Sequence, residues 1–186
     1  DRSAHCDRDC CAMPARWNHF ADRGVLGGES SQRQRRMEET DMSKTVVDAV
    51  DLERRVKDMY TQVALDPQAR YHFEMGRAMA SRLGYTDEEL NAAPAPSIES
   101  FAGVGYYFNL ANLRGGEHVV DLGSGSGMDV FYAAQLVGAS GRVIGIDFTP
   151  EQLAKARRLA AGTGVDQVDF REGRIESPPA QNESFD

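Results

Sequence analysis

Apolar residues follow no period through the first 44 positions, where Arg, Asp, Gly, Ser and Gln dominate, as in Gly27-Gly28-Glu29-Ser30-Ser31-Gln32-Arg33-Gln34-Arg35-Arg36. A stretch of that kind cannot bury enough surface to offset the entropy of ordering it. Residues 1–44 are therefore expected to be disordered or a non-native extension, with the ordered pattern starting just after Met42. From Thr45 the pattern turns helical, with Val46, Val50, Val56, Tyr60 and Val63 recurring at spacings near three and four. A second helix is predicted from about Gln68 to Leu83, ended by Gly84. A third opens at Thr86-Asp87-Glu88-Glu89, where the threonine hydroxyl and Glu89 cap each other's backbone donors. Asn91-Ala92-Ala93-Pro94-Ala95-Pro96 reads as a connector closing a helical arm over 45–96. Residues 97–115 read as one more helical stretch, containing the run Phe101-Ala102-Gly103-Val104-Gly105-Tyr106-Tyr107-Phe108.

The period then changes. His118-Val119-Val120-Asp121, Arg142-Val143-Ile144-Gly145-Ile146-Asp147 and Gln167-Val168-Asp169-Phe170-Arg171 are short apolar runs, with helical patterns between them at about 127–137 and 150–161. Strands alternating with helices at this spacing predict an α/β fold with a partial, Rossmann-like, doubly wound parallel sheet behind the helical arm. The sequence stops at Ser184-Phe185-Asp186, where a fourth strand is expected to begin, so 97–186 reads as the N-terminal half of a larger domain.

Candidate chemistry gathers at the ends of the three strands. Asp121-Leu122-Gly123-Ser124-Gly125-Ser126-Gly127 leaves the first strand and enters a helix. Its glycines allow a tight turn and a close approach of backbone amides to a ligand at a helix N-terminus. The spacing is G-x-G-x-G rather than the G-x-G-x-x-G of dinucleotide sites, and an acid precedes it. Asp121 there repels a pyrophosphate and favours a cationic ligand. Asp147 ends the second strand 20 residues past Gly127, where an acid reaches both ribose hydroxyls of an adenosine ligand. The competing role for Asp147, capping the next helix, is assigned instead to Thr149-Pro150-Glu151-Gln152. Phe148 is a candidate to pack on the adenine face. In Gly173-Arg174-Ile175-Glu176, after the third strand, Glu176 is placed to accept from the adenine amino group and Ile175 to cover the ring. Phe148 and Glu176 also have plainer readings, as a core aromatic and a solvated acid.

Composition narrows the partners. A net charge of −8 argues against nucleic acid, which needs a concentrated basic surface. No apolar run reaches the roughly 20 residues of a membrane span, and no signal-peptide pattern is present. These readings point to a cytoplasmic protein with a small-molecule substrate, and leave the oligomeric state open. Cys6, Cys10 and Cys11 are the only cysteines, and they read as neither a disulfide framework nor a metal site. No metal is expected.

From about Val46 to Asp186 the sequence resembles the class I methyltransferases, and within them the arsenite-methyltransferase-like branch. The residues carrying this are Asp121–Val130, Gly141–Leu153 and Phe170–Glu176. The resemblance implies S-adenosylmethionine as cofactor, whose ammonium and sulfonium suit Asp121. It implies that Asp121, Gly123 and Gly125 meet the methionine end, Asp147 the ribose, and Ile175 with Glu176 the adenine. It also implies that the helical arm covers the cofactor, with Tyr60 or the Tyr106-Tyr107 pair near the methyl group. Against that branch, arsenite methyltransferases hold trivalent arsenic through cysteine thiolates, and no cysteine follows Cys11. The acceptor and the catalytic residues stay unassigned. A nicotinamide-dependent oxidoreductase and an inactive truncated cofactor-binding fragment are the alternative readings.

Overall fold

The computed structural model describes residues 48–181 and 184–186. The expectations for residues 1–44, including the three cysteines, and for Thr45 and Val46 lie outside the described residues.

Helix α1 spans Ala49–Leu65, with Asp48 as its N-cap accepting from the N–H groups of Val50 and Asp51 at 3.0 and 3.3 Å. It ends at Asp66, immediately before Pro67, as expected of a residue that proline steers away from helical geometry. The predicted helix from Gln68 is shorter than its pattern suggested. Helix α2 spans only Gly76–Leu83, with Gly84 in the left-handed conformation at its C-cap. The Gly76 N–H donates to the Phe101 carbonyl at 2.7 Å, a tertiary bond that replaces continuation of the helix backwards. Helix α3, Asp87–Ala92, starts with the expected capping box between Thr86 and Glu89. The connector after it is largely helical too, because α4 spans Ala95–Glu99 with a proline in its first turn.

The single helix anticipated over 97–115 does not form. Only α4 and the four-residue α5, Phe108–Ala111, are helical there. The cause is an aromatic cluster around Tyr85, with ring centroids of Tyr106, Phe101 and Phe108 at 4.8, 5.5 and 6.2 Å. On a continuous helix Tyr106 would face about 140° away from Phe101. An irregular 101–107 segment lets both rings reach the same partner.

The sheet follows the predicted alternation. Strand β1 is His118–Leu122, α6 Met128–Val137, β2 Arg142–Asp147, α7 Pro150–Thr163 and β3 Val168–Glu172. The strands are parallel in the order β1-β2-β3, with Val120 opposite Ile144 and Ile144 opposite Asp169. One core joins α6, α7, β2 and β3 through Val130, Phe131, Val143, Leu153 and Phe170, and α3 and α4 add Leu90 and Ile98 to it. On the edge of β1 away from β2, the Asp186 N–H donates to the His118 carbonyl at 3.0 Å, and the His118 N–H donates to Asp186 Oδ2 at 2.7 Å.

The arm is stitched to this core by polar contacts as well. Tyr106 and Tyr132 donate to Glu89 Oε1 at 2.5 and 2.9 Å, and Gln135 Nε2 donates to the Ala92 carbonyl at 2.5 Å. Thr61 donates to Glu151 at 2.9 Å, tying α1 to α7. Among the described residues no helix is long and apolar enough to cross a membrane.

Candidate cofactor site

The carboxyl end of a parallel sheet opens into a crevice wherever a strand turns into the next helix. Between β1 and α6 the turn is made by Gly123, Gly125 and Gly127, with φ of +84°, +52° and +86°. β2 pins this loop. The Gly123 and Ser124 N–H groups donate to the Ile146 carbonyl at 2.8 and 3.0 Å, and the Gly125 N–H donates to Asp147 Oδ2 at 2.9 Å. The other Asp147 oxygen accepts from the Thr149 N–H at 2.8 Å.

That last bond corrects the capping assignment. Thr149 is the N-cap of α7, but its side chain makes no capping hydrogen bond, and its buried hydroxyl has no partner. Asp147 takes over the N–H at this corner. Gln152 is drawn away from the cap by tertiary bonds. Its Oε1 accepts from the Ser126 hydroxyl, and its Nε2 donates to the Tyr60 carbonyl at 3.1 Å. The glycine loop is thereby connected to α1 through one buried glutamine.

The loop opens onto a cavity of about 700 Å³, within the roughly 300–1,000 Å³ range of small-molecule sites. Asp121, Gly123, Ser124, Gly125, Asp147, Phe148, Ile175 and Glu176 all line it. Gly127 does not; it lies behind the loop, where a Cβ would stand 2.7 Å from the Phe170 ring. Of the three tyrosines, Tyr60 and Tyr107 line the cavity. Tyr106 belongs instead to the aromatic cluster and to Glu89.

Sequence reasoning gave Asp129, Met128 and the wall formed by 101–105 no part in the site and Gln152 only a capping role, yet all of them line the same cavity. Asp129 carried a signal, being an acid in the first turn of the helix that the glycine loop opens. Gln152 carried none, because its partners are distant in sequence.

The charge of the site is one-sided. Burial, with the charges of Asp129 and Asp147 added, pushes the Asp121 carboxyl up to about 7. Burial pushes Asp129 up to about 6, against the opposing hydrogen bond from Tyr85. Among the described residues none of these three carboxylates forms an ion pair. Arg174 also lines the cavity, but Glu53 holds its guanidinium at 2.7 and 2.5 Å. Clustered acids without a cation are costly unless they are protonated or a cationic ligand joins them.

Residues 113–186 match a methyltransferase-domain family. An arsenite methyltransferase of Halobacterium salinarum is 43% identical over 105 residues, covering 56% of this chain and 27% of that protein. A second arsenite methyltransferase, from Aquipseudomonas alcaligenes, is 53% identical over 68 residues, or 34% of this chain and 20% of its own length. A protein-L-isoaspartate O-methyltransferase 2 from an Anaeromyxobacter species is 33% identical over 157 residues, covering 82% of this chain and 58% of that one. Over these segments the chain is similar to the class I S-adenosylmethionine-dependent methyltransferases. It spans about a quarter of the length of the arsenite methyltransferases it matches.

The cavity suits the cofactor of these methyltransferases. An uncompensated acidic floor complements an ammonium and a sulfonium, and repels the pyrophosphate of a nicotinamide dinucleotide. The loop is thin as well, since a Cβ built at Gly123 meets no atom within 4 Å, leaving backbone open to a ligand. No cysteine occurs among residues 48–186, so no thiolate of the described chain lines the cavity.

Proposed function

We infer that the chain forms the cofactor-binding part of an S-adenosylmethionine-dependent methyltransferase acting on a small-molecule acceptor. The observation that carries this is the cavity whose floor holds Asp121, Asp129 and Asp147 with no cation against them among the described residues. When bound, the cofactor supplies a sulfonium-activated methyl group. The chain's own residues bind it, orient it and keep water out.

In this reading Asp121 faces the methionine ammonium, with Gly123, Ser124 and Gly125 providing the close backbone approach. Gly127 acts from behind, by admitting Phe170 under the loop. Asp147 binds the ribose. Each of its oxygens already accepts one backbone N–H, and a carboxylate oxygen has a second lone pair free for a hydroxyl. Phe148 and Ile175 cover the adenine, and Glu176 accepts from its amino group. Tyr60 from α1 and Tyr107 at the start of α5 border the methyl end.

The names of two relatives supply trivalent arsenic as the first acceptor to try, with the thiols that would hold it lying outside the described residues. The net charge of −8 supports a small acceptor over a nucleic acid. The test is calorimetric titration of this chain with S-adenosylhomocysteine and, separately, NAD. Saturable binding of S-adenosylhomocysteine with NAD silent is the expected result. Binding of NAD alone, or of neither, overturns the reading.

A further inference from the structure

The strand-end acids Asp121 and Asp147 account for two of the three aspartates that line the cavity. The third, Asp129, sits in the first turn of α6, directly after the glycine loop. An acid in a helix's first turn is usually explained by the helix dipole alone, and such acids point into solvent. Asp129 differs in two ways. It lines the cavity. Its Oδ1 also accepts a hydrogen bond of 2.8 Å from the hydroxyl of Tyr85, a residue 44 positions earlier in the arm.

Tyr85 is itself fixed. It is 4% exposed, and Phe101, Tyr106 and Phe108 surround its ring. Its hydroxyl points one oxygen of Asp129, and the other oxygen keeps its acceptor capacity. A buried tyrosine needs a hydrogen-bond partner, but a neutral acceptor satisfies it at lower desolvation cost than a carboxylate beside two other acids. The groups facing Asp129 are Tyr85 from the arm and Asp121 at the end of β1, with Asp147 near Asp121. No cation of the described chain joins them. In the same cavity wall, the buried hydroxyls of Ser124 and Thr149 have no hydrogen-bond partner.

We propose that Asp129 is a second carboxylate for the ammonium at the amino-acid end of the ligand, and that Tyr85 is the positioning residue that aims it. The proposal rests on the cofactor reading above and deepens it. The ammonium carries three donors, enough to engage Asp121 and Asp129 together. The helical arm thereby helps build the cofactor site as well as covering it.

The test compares two ligands on the same chain. S-adenosylhomocysteine carries the amino-acid end, and 5′-methylthioadenosine lacks it. For Asp129→Asn the expected result is a loss of about tenfold or more in S-adenosylhomocysteine affinity and no change for 5′-methylthioadenosine. Asn keeps an acceptor for Tyr85, so the fold is not the variable. For Tyr85→Phe the same selectivity is expected with a smaller loss, about threefold. Equal weakening of both ligands would assign Asp129 a purely structural role and overturn the proposal, as would unchanged binding of both. In those cases the wild-type chain still binds S-adenosylhomocysteine, so the cofactor reading survives. A wild-type chain that binds neither ligand removes both.

Discussion

The Gly125 N–H donates to Asp147 Oδ2 at 2.9 Å, so the end of β2 directly holds the loop at the end of β1. Asp147 therefore has a structural task as well as the ribose contact proposed for it. Asp147→Ala removes both. The expected loss in S-adenosylhomocysteine affinity is about tenfold or more, accompanied by faster amide exchange at Gly125. Unchanged affinity in a calorimetric titration would sink the ribose assignment.

Gly123 and Gly127 share nearly the same backbone conformation but not the same surroundings. A Cβ at Gly127 stands 2.7 Å from the Phe170 ring at a φ of +86°, whereas one at Gly123, with φ +84°, meets nothing within 4 Å. Gly127→Ala is expected to cost about 2–4 kcal/mol, from strain plus overpacking. Gly123→Ala should cost about 1–2 kcal/mol from strain alone, while weakening ligand binding at the open loop. Urea unfolding of the two variants checks this, and equal losses of stability would contradict the packing argument.

Acidification should weaken cofactor binding. Asp121 is raised to about 7 and Asp129 to about 6, so the free chain carries protons on both at mildly acid pH. The ligand's ammonium prefers them ionised and expels those protons. Affinity for S-adenosylhomocysteine should therefore fall as pH drops from about 8 to about 5, with proton release visible in buffers of different ionisation enthalpy. Stability moves the other way. Both folded values exceed the roughly 3.9 of an unfolded aspartate, so these two groups stabilise the unliganded fold fully below that pH. Their contribution is lost as pH rises through 6 to 7. Binding independent of pH across this range would mean that Asp121 and Asp129 do not meet the ligand's charge.

Glu89 joins three parts of the arm and α6. Burial alone would raise its carboxyl, but hydrogen bonds from Tyr106, the Thr86 N–H and Tyr132 outweigh it and hold the group below the usual range. Glu89→Ala removes the capping box and leaves two tyrosine hydroxyls without their acceptor. The expected cost is about 2–3 kcal/mol in denaturant unfolding, against about 1 kcal/mol for Tyr132→Phe. If the two variants unfold at the same midpoint, the node is not shared as described.

The sheet was legible in the sequence because its signals are local. β2 occupies the predicted Arg142–Asp147, β1 extends one residue past its predicted end, and β3 lies one residue further along than predicted, at Val168–Glu172. Short apolar runs next to glycine and aspartate leave few alternatives. The arm was less legible. Apolar spacing over 68–83 and 97–115 allows a helix in both places, but Gly76 bonds to Phe101, and the rings around Tyr85 require an irregular 101–107 segment. Competition between local period and distant partners has no trace in the local pattern.

By itself the sequence determined the order of strands and helices, the glycine loop and the acids at the strand ends, since each depends on residues within a few positions of one another. Tertiary structure alone decided that Tyr85 meets Asp129, that Gln152 links Ser126 to the Tyr60 carbonyl, and that Tyr107 rather than Tyr106 borders the cavity. The physical reason is that a side chain's partner is set by what packs against it. Here those partners lie 26 to 92 residues apart, beyond the reach of any periodic signal.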